Sequence, residues 1–128
     1  MLGHGGHAAA DFAVSVLPRM IADGLINSSR SVEDVSRVLY ESIRVLDKQI
    51  QDGVTGLFAN DVDVLVKLPE DAIDDIVKAN HDKLLLGMTG TTALIALVDE
   101  KKENLWIANL GDCQAGACWI ECIFVVAR

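Results

Sequence analysis

In the first half of the chain the apolar positions recur at steps of three and four. In "HAAADFAVSVLPRMIADGLI" the residues Ala9, Phe12, Ala13, Val16, Leu17, Met20 and Ile21 line one face of an amphipathic helix, with Pro18 able to bend it. Gly24 and "NSS" break the pattern. Ser31 then reads as an N-cap, Glu33 and Asp34 occupy the first turn, and Val32, Val35, Leu39, Ile43, Leu46 and Ile50 form a second stripe ending near Gly53. The stretch "GVTGLFANDVDVLVKLP" mixes signals. Its glycines and Asn60 mark a loop while Val62, Val64 and Val66 alternate as in a strand, so it reads as a loosely structured insertion. Pro69 opens a short helix over "EDAIDDIVKAN", with Ile73, Ile76 and Val77 directed inward and the acids in solvent.

At Gly87 the period changes. "GMTG" leads into "TTALIALVD", and "EKKEN" connects it to "LWIANL", which together predict a β-hairpin. Both strands are apolar at nearly every position, so each is expected to be covered on two faces. "ACWIECIFVVAR" reads as a third strand, with Trp119 and Glu121 opposite Cys118, Ile120 and Cys122. Mixed helix and antiparallel strand content predicts an α/β chain of α+β type.

With 128 residues, 51% of them hydrophobic, the chain can bury one modest core. Nineteen acidic against eleven basic residues leave a net charge of −8, which repels phosphate backbones and anionic lipid. Nucleic acid and membrane surfaces are therefore not expected as partners. No apolar run approaches the length of a bilayer span. The three cysteines form an odd number with no secretory leader before them, which predicts an intracellular, reducing compartment.

Few segments carry chemistry. Gly3, Gly5 and Ala8 satisfy a dinucleotide-binding spacing, but only Met1 and Leu2 precede them where a strand is required. "GMTGTT" lacks the lysine of a phosphate-binding P-loop. His4 and His7 have no partners of zinc-site spacing, and the cysteines have no neighbouring histidine. By itself "GHGGH" reads as a flexible cap before a helix, His81 as a solvated helix-end residue, and Asp112 as a turn former.

Taken together, two segments say more. "GHGGHAAADF" followed by "GTTALIALVDEKKENLWIANLGDCQA" resembles the metal-dependent protein phosphatases, the PPM or type 2C family. That family joins an Asp-Gly-His-Gly-Gly loop to a long helix and pairs a Gly-Ser/Thr-Thr-Ala strand with one ending in Gly-Asp-Ser-Arg-Ala. "YESIRVLDKQI" is similar to the family's second helix. The resemblance covers residues 2 to 115, which implies a partial phosphatase domain over 1–115 and a divergent tail over 116–128.

The resemblance implies part of an αββα sandwich of antiparallel sheets flanked by helices. It also implies hydrolysis of phosphoserine and phosphothreonine in protein substrates, assisted by Mg or Mn. The Gly3 carbonyl and Asp112 would be metal donors and His4 the acid that protonates the leaving oxygen; an imidazole titrating near neutrality suits that role. Leu2 departs from the pattern, for it stands at the position of the family's metal-bridging Asp. Cys113 and Gln114 likewise replace Ser and Arg. From these departures, and from the family segments it lacks on either side, the chain is expected to be a truncated representative, inactive alone. The alternative expectation is a catalytically dead interaction module using the face of the helix over 32–51. A half sandwich is further expected to self-associate through bare sheet surface. The long middle segment is similar to the pyruvate dehydrogenase phosphatase-like branch, which implies a mitochondrial setting, although the start has no transit-peptide character.

Overall fold

The structure is a computed structural model that describes residues 2–58, 62–119 and 122–126; side chains are described up to residue 116, those of Leu2, Val62 and Leu65 excepted. Two long helices form the outer layer. The first, α1 (Ala8–Ile26), buries Ala9, Ala10, Ala13, Leu17 and Ile21, close to the stripe that its sequence predicts, and runs unbroken through Pro18. The second, α2 (Val32–Thr55), starts where Ser31 Oγ accepts the Asp34 amide at 3.1 Å, so the predicted cap is real. It buries Val35, Leu39, Ser42 and Leu46 and continues two residues past Gly53. The short connection folds α2 back along α1, and a Cβ at Gly24 would lie only 2.7 Å from Val38 Cγ1, so the helices touch near their joint.

Three shorter helices follow: α3 (Val62–Leu65), α4 (Glu70–Ala79) and α5 (His81–Met88). The valine alternation thus falls in a helical turn rather than a strand. α4 forms as predicted but buries nothing, and Ile73 and Val77 are each 42% exposed, contrary to the inward placement expected of them. The reason is positional, since α4 lies chiefly against α5 and among the described residues no layer covers its apolar side. The pattern misses α5. Asn80 ends α4 with its Nδ2 on the Ile76 carbonyl at 3.0 Å, and the helix restarts at once.

The inner layer is an antiparallel sheet in the order β1-β2-β3, with β1 at Leu2–His4, β2 at Gly90–Val98 and β3 at Leu105–Leu110. The predicted hairpin is β2-β3, in register from Ala93↔Leu110 to Val98↔Leu105. Asp99 closes its turn. Its Oδ1 accepts the amides of Glu103 at 2.7 Å and Asn104 at 3.1 Å, and its Oδ2 accepts Asn104 Nδ2 at 2.8 Å. β1 is the unexpected strand, pairing Leu2↔Thr92, Gly3↔Thr91 and His4↔Gly90.

One face of this sheet completes the core. Ile95, Leu97, Trp106 and Ala108 pack onto the cluster of Ala13, Leu17, Ile21, Val35, Leu39 and Leu46. The other face carries Leu94, Val98, Leu105 and Ile107, all exposed, with Val98 and Leu105 at 53%. Coverage on both faces, inferred from the unbroken apolar runs, is therefore met on one side only, because all the long helices lie on that side. The last segment forms two strands rather than one: β4 (Ala115–Trp119) pairs with β5 (Cys122–Val126) as a separate antiparallel ribbon. Ile120 and Glu121, whose sides were assigned by alternation, lie outside the described residues. The chain is of mixed α and β type, as predicted. Among the described residues no helix is long and apolar enough to cross a membrane.

Candidate active site

Both chemistry-bearing segments meet at the N-terminal end of β2. On one side, β1 delivers Gly3 opposite Thr91 and His4 opposite Gly90. The chain then reverses within four residues to enter α1. Gly5 at φ 73° and Gly6 at φ 150° make that reversal in backbone conformations that side chains disfavour. Gly3 is required for a different reason: a Cβ there would lie 2.1 Å from the Gly6 carbonyl oxygen, which folds back over it. The His4 and His7 side chains both stand in solvent.

On the other side of β2 the chain leaves β3 through Gly111, at φ 79°, where a Cβ would meet Thr92 Cγ2 at 2.8 Å. Asn109 Nδ2 donates to the Gly111 carbonyl at 3.2 Å, and Cys113 Sγ donates to Thr92 Oγ1 at 3.3 Å. These bonds fix the turn that carries Asp112, whose side chain is exposed. β2 thus stands between the loop and the turn. Two strand spacings, roughly 10 Å, separate them across the sheet, and no hydrogen bond joins His4 to Asp112 among the described residues.

A larger cleft of about 580 Å³ opens on the helix side, lined by Ile43, Asp47, Gln51, Val54, Thr91 and Leu110 among others. It includes none of Gly3, His4 and Asp112.

The dinucleotide spacing fails here on geometry. The strand before α1 itself contains Gly3 and runs antiparallel to its neighbour β2, whereas that motif needs a strand leading into a parallel β-α-β unit. The sequence reading overlooked Thr89, which is buried and joins α1 to the start of β2: its Oγ1 accepts the Ala9 amide at 3.0 Å. A lone threonine before Gly90 carries no local sign of this role, because its partner lies 80 residues away.

A glycine-histidine loop running into a long helix, laced through one strand to a Gly-Asp turn, is the arrangement of a phosphatase of the metal-dependent class. The profile of the family described as Protein phosphatase 2C matches residues 1–118, and the chain belongs to that family. Compared with curated proteins and with solved structures, the chain finds no match. Its helices on one face of an antiparallel sheet are those of a fragment of the family's fold, and the family acts on phosphoproteins with the help of Mg or Mn.

Whether this chain's own residues suit such ions is a question of donors. Hard divalent cations take about six oxygens, largely carboxylates, carbonyls and waters. The chain offers the Gly3 carbonyl on one side of β2 and the Asp112 carboxylate on the other. Leucine, the residue at position 2, has no side-chain oxygen to donate. Among the described residues no three acidic, histidine or cysteine side chains gather as a metal site. The two oxygens that the family pattern marks, one on each side of β2, are by themselves too few to hold a pair of such cations.

Proposed function

We propose that the chain carries one part of a metal-dependent serine/threonine phosphatase site and does not turn over phosphoprotein by itself. In this reading His4 is the acid that protonates the departing serine or threonine oxygen, and exposure at the end of β1 leaves it accessible to substrate. Gly3 and Asp112, two strands apart, would each contribute one oxygen to a different cation, Asp112 to an additional one, with the remaining ligands supplied by other residues and waters. The observation that carries the reading is the convergence on β2: His4 pairs with Gly90, and Gly111 packs on Thr92 two residues further along.

The test is hydrolysis of a phosphothreonine peptide in the presence of Mn. The 128-residue chain is expected to give no turnover above background. A rate that His4→Ala abolishes would overturn the inactivity while supporting the acid. Leu2→Asp restores the carboxylate of the family pattern and is expected to tighten Mn binding about tenfold or more, as for a gained ligand. Unchanged Mn affinity in that variant would sink the assignment of residue 2 to the bridging position.

The alternative, an interaction module, loses the surface first assigned to it, because Val35, Leu39 and Leu46 of α2 form the core. What favours it instead is the bare sheet face of Leu94, Val98, Leu105 and Ile107. That face supports self-association, and sedimentation velocity at rising concentration is expected to show species larger than a monomer. A single monomeric species throughout would refute it.

A further inference from the structure

The first turn of any helix leaves amides without partners inside the helix, and a Ser, Thr, Asp or Asn at the N-cap ordinarily accepts from one of them. At the N-cap of α1 stands His7, which makes no side-chain cap bond. The amide two residues into the helix, Ala9 N–H, is met instead by Thr89 Oγ1 at 3.0 Å in a buried contact. The same hydroxyl donates its proton to the Leu85 carbonyl at 3.0 Å. A hydroxyl has one proton and two lone pairs, so that donation leaves a lone pair for Ala9. The methyl of Thr89 is used as well. A Cβ at Gly6 would come within 2.8 Å of Thr89 Cγ2, so this methyl lies directly under the loop.

We propose that Thr89 is a positioning residue for the active-site loop: its hydroxyl caps α1 from α5 and its methyl supports Gly6, together setting the course of Gly3–Gly6 that presents His4 beside Gly90. The residue type follows from both contacts. Valine would keep the shape and lose the acceptor; serine would keep the acceptor and lose the methyl. The inference rests on the loop's proposed role in phosphatase chemistry, but its test needs no turnover, so the two ideas can fail separately.

Amide exchange and chemical shifts of the 128-residue chain, metal-free, provide that test. In Thr89→Val the Ala9 amide is expected to exchange about tenfold faster or more, reflecting a lost buried bond. The amide shifts of Gly3 to His7 and the ring-proton shifts of His4 are expected to move with it. Thr89→Ser should restore Ala9 protection and return the His4 ring signals toward those of the parent, leaving Gly6 perturbed. Unchanged Ala9 exchange in Thr89→Val, or His4 signals indifferent to the substitution, would overturn the proposal. If Thr89→Val does not fold, the parent chain and Thr89→Ser decide alone: rapid Ala9 exchange in either one overturns the capping role.

Discussion

Gly3→Ala adds one methyl group, and two opposed effects set its outcome. In the unfolded chain alanine has less freedom than glycine, which by itself stabilises a protein by about 0.4–1 kcal/mol where the native backbone accepts it. Here the space does not exist. The new Cβ would lie 2.1 Å from the Gly6 carbonyl oxygen and 3.1 Å from its carbon. Both atoms are backbone, so relief requires the loop to move by roughly 1 Å to reach an ordinary contact. It cannot simply slide away, because Gly6 rests on Thr89 Cγ2. Overpacking of this kind costs about 1–3 kcal/mol; a backbone oxygen as close as this one puts the cost at the upper end, about 2–3 kcal/mol, so the clash outweighs the entropic gain by about 1–2.5 kcal/mol. For a chain of this length that is a fall in Tm of roughly 3–10 °C. The alternative response is for β1 to detach, which would expose the β2 amides near Gly90 and Thr92. Circular dichroism melting with amide exchange on the same sample measures both responses. A variant that melts within a degree of the parent and keeps its protection at the start of β2 would refute the close approach.

Leu39→Ala removes a side chain only 3% exposed, at the centre of the contact between α1 and α2. A loss of about 2–5 kcal/mol is expected by urea titration, whereas Tyr40→Ala, at a neighbouring residue 66% exposed, should stay within about 0.5 kcal/mol. Acid is expected to loosen two surface turns. The carboxyl of Asp34 is held below its usual value by its bond from Ser29 and by the Arg37 guanidinium, and that of Asp99 by bonds from the Asn104 side chain and the turn amides. Since folding lowers both values, the stability they contribute is present above the unfolded value of 3.8 and is lost as pH falls through the folded ones. Urea midpoints should therefore drop below about pH 4, and less so in Asp34→Asn/Asp99→Asn. An identical pH profile for parent and double variant would refute this.

The elements most legible in the sequence are those whose signals are local. The stripe Val35, Leu39, Leu46 and the cap Ser31 lie within a few turns of one another, and α2 follows from them directly. The β2-β3 hairpin is legible for the same reason, its turn being closed by Asp99 and Asn104 from within. What stayed hidden depends on distant partners. β1 is three residues, one of them a glycine and one a histidine, and only pairing with Gly90, Thr91 and Thr92 makes it a strand. The exposure of Ile73 and Val77 could not be read either, because periodicity tells which residues share a face and not whether a layer arrives to cover it. Gly3, His4 and Asp112, the residues of the proposed site, are legible through their motifs. Thr89 was not, since a capping residue is recognised by its place beside a helix start and this one is contributed by another helix end.

β1 also fixes an order of events. His4 and Gly90 form a pair in the sheet, so every helix of the described chain lies in the loop that this pairing closes. Closing so long a loop costs conformational entropy that only contacts already made elsewhere can offset. During synthesis Leu2–His4 therefore wait for their partner strand until α5 and β2 have followed. The α1-α2 hairpin, by contrast, needs only its own residues and their short connection. The loop after β1 is thus made well before its partner strand and is among the last parts to take its final shape. Any delay or error in the hairpin after Met88 would be felt first at His4.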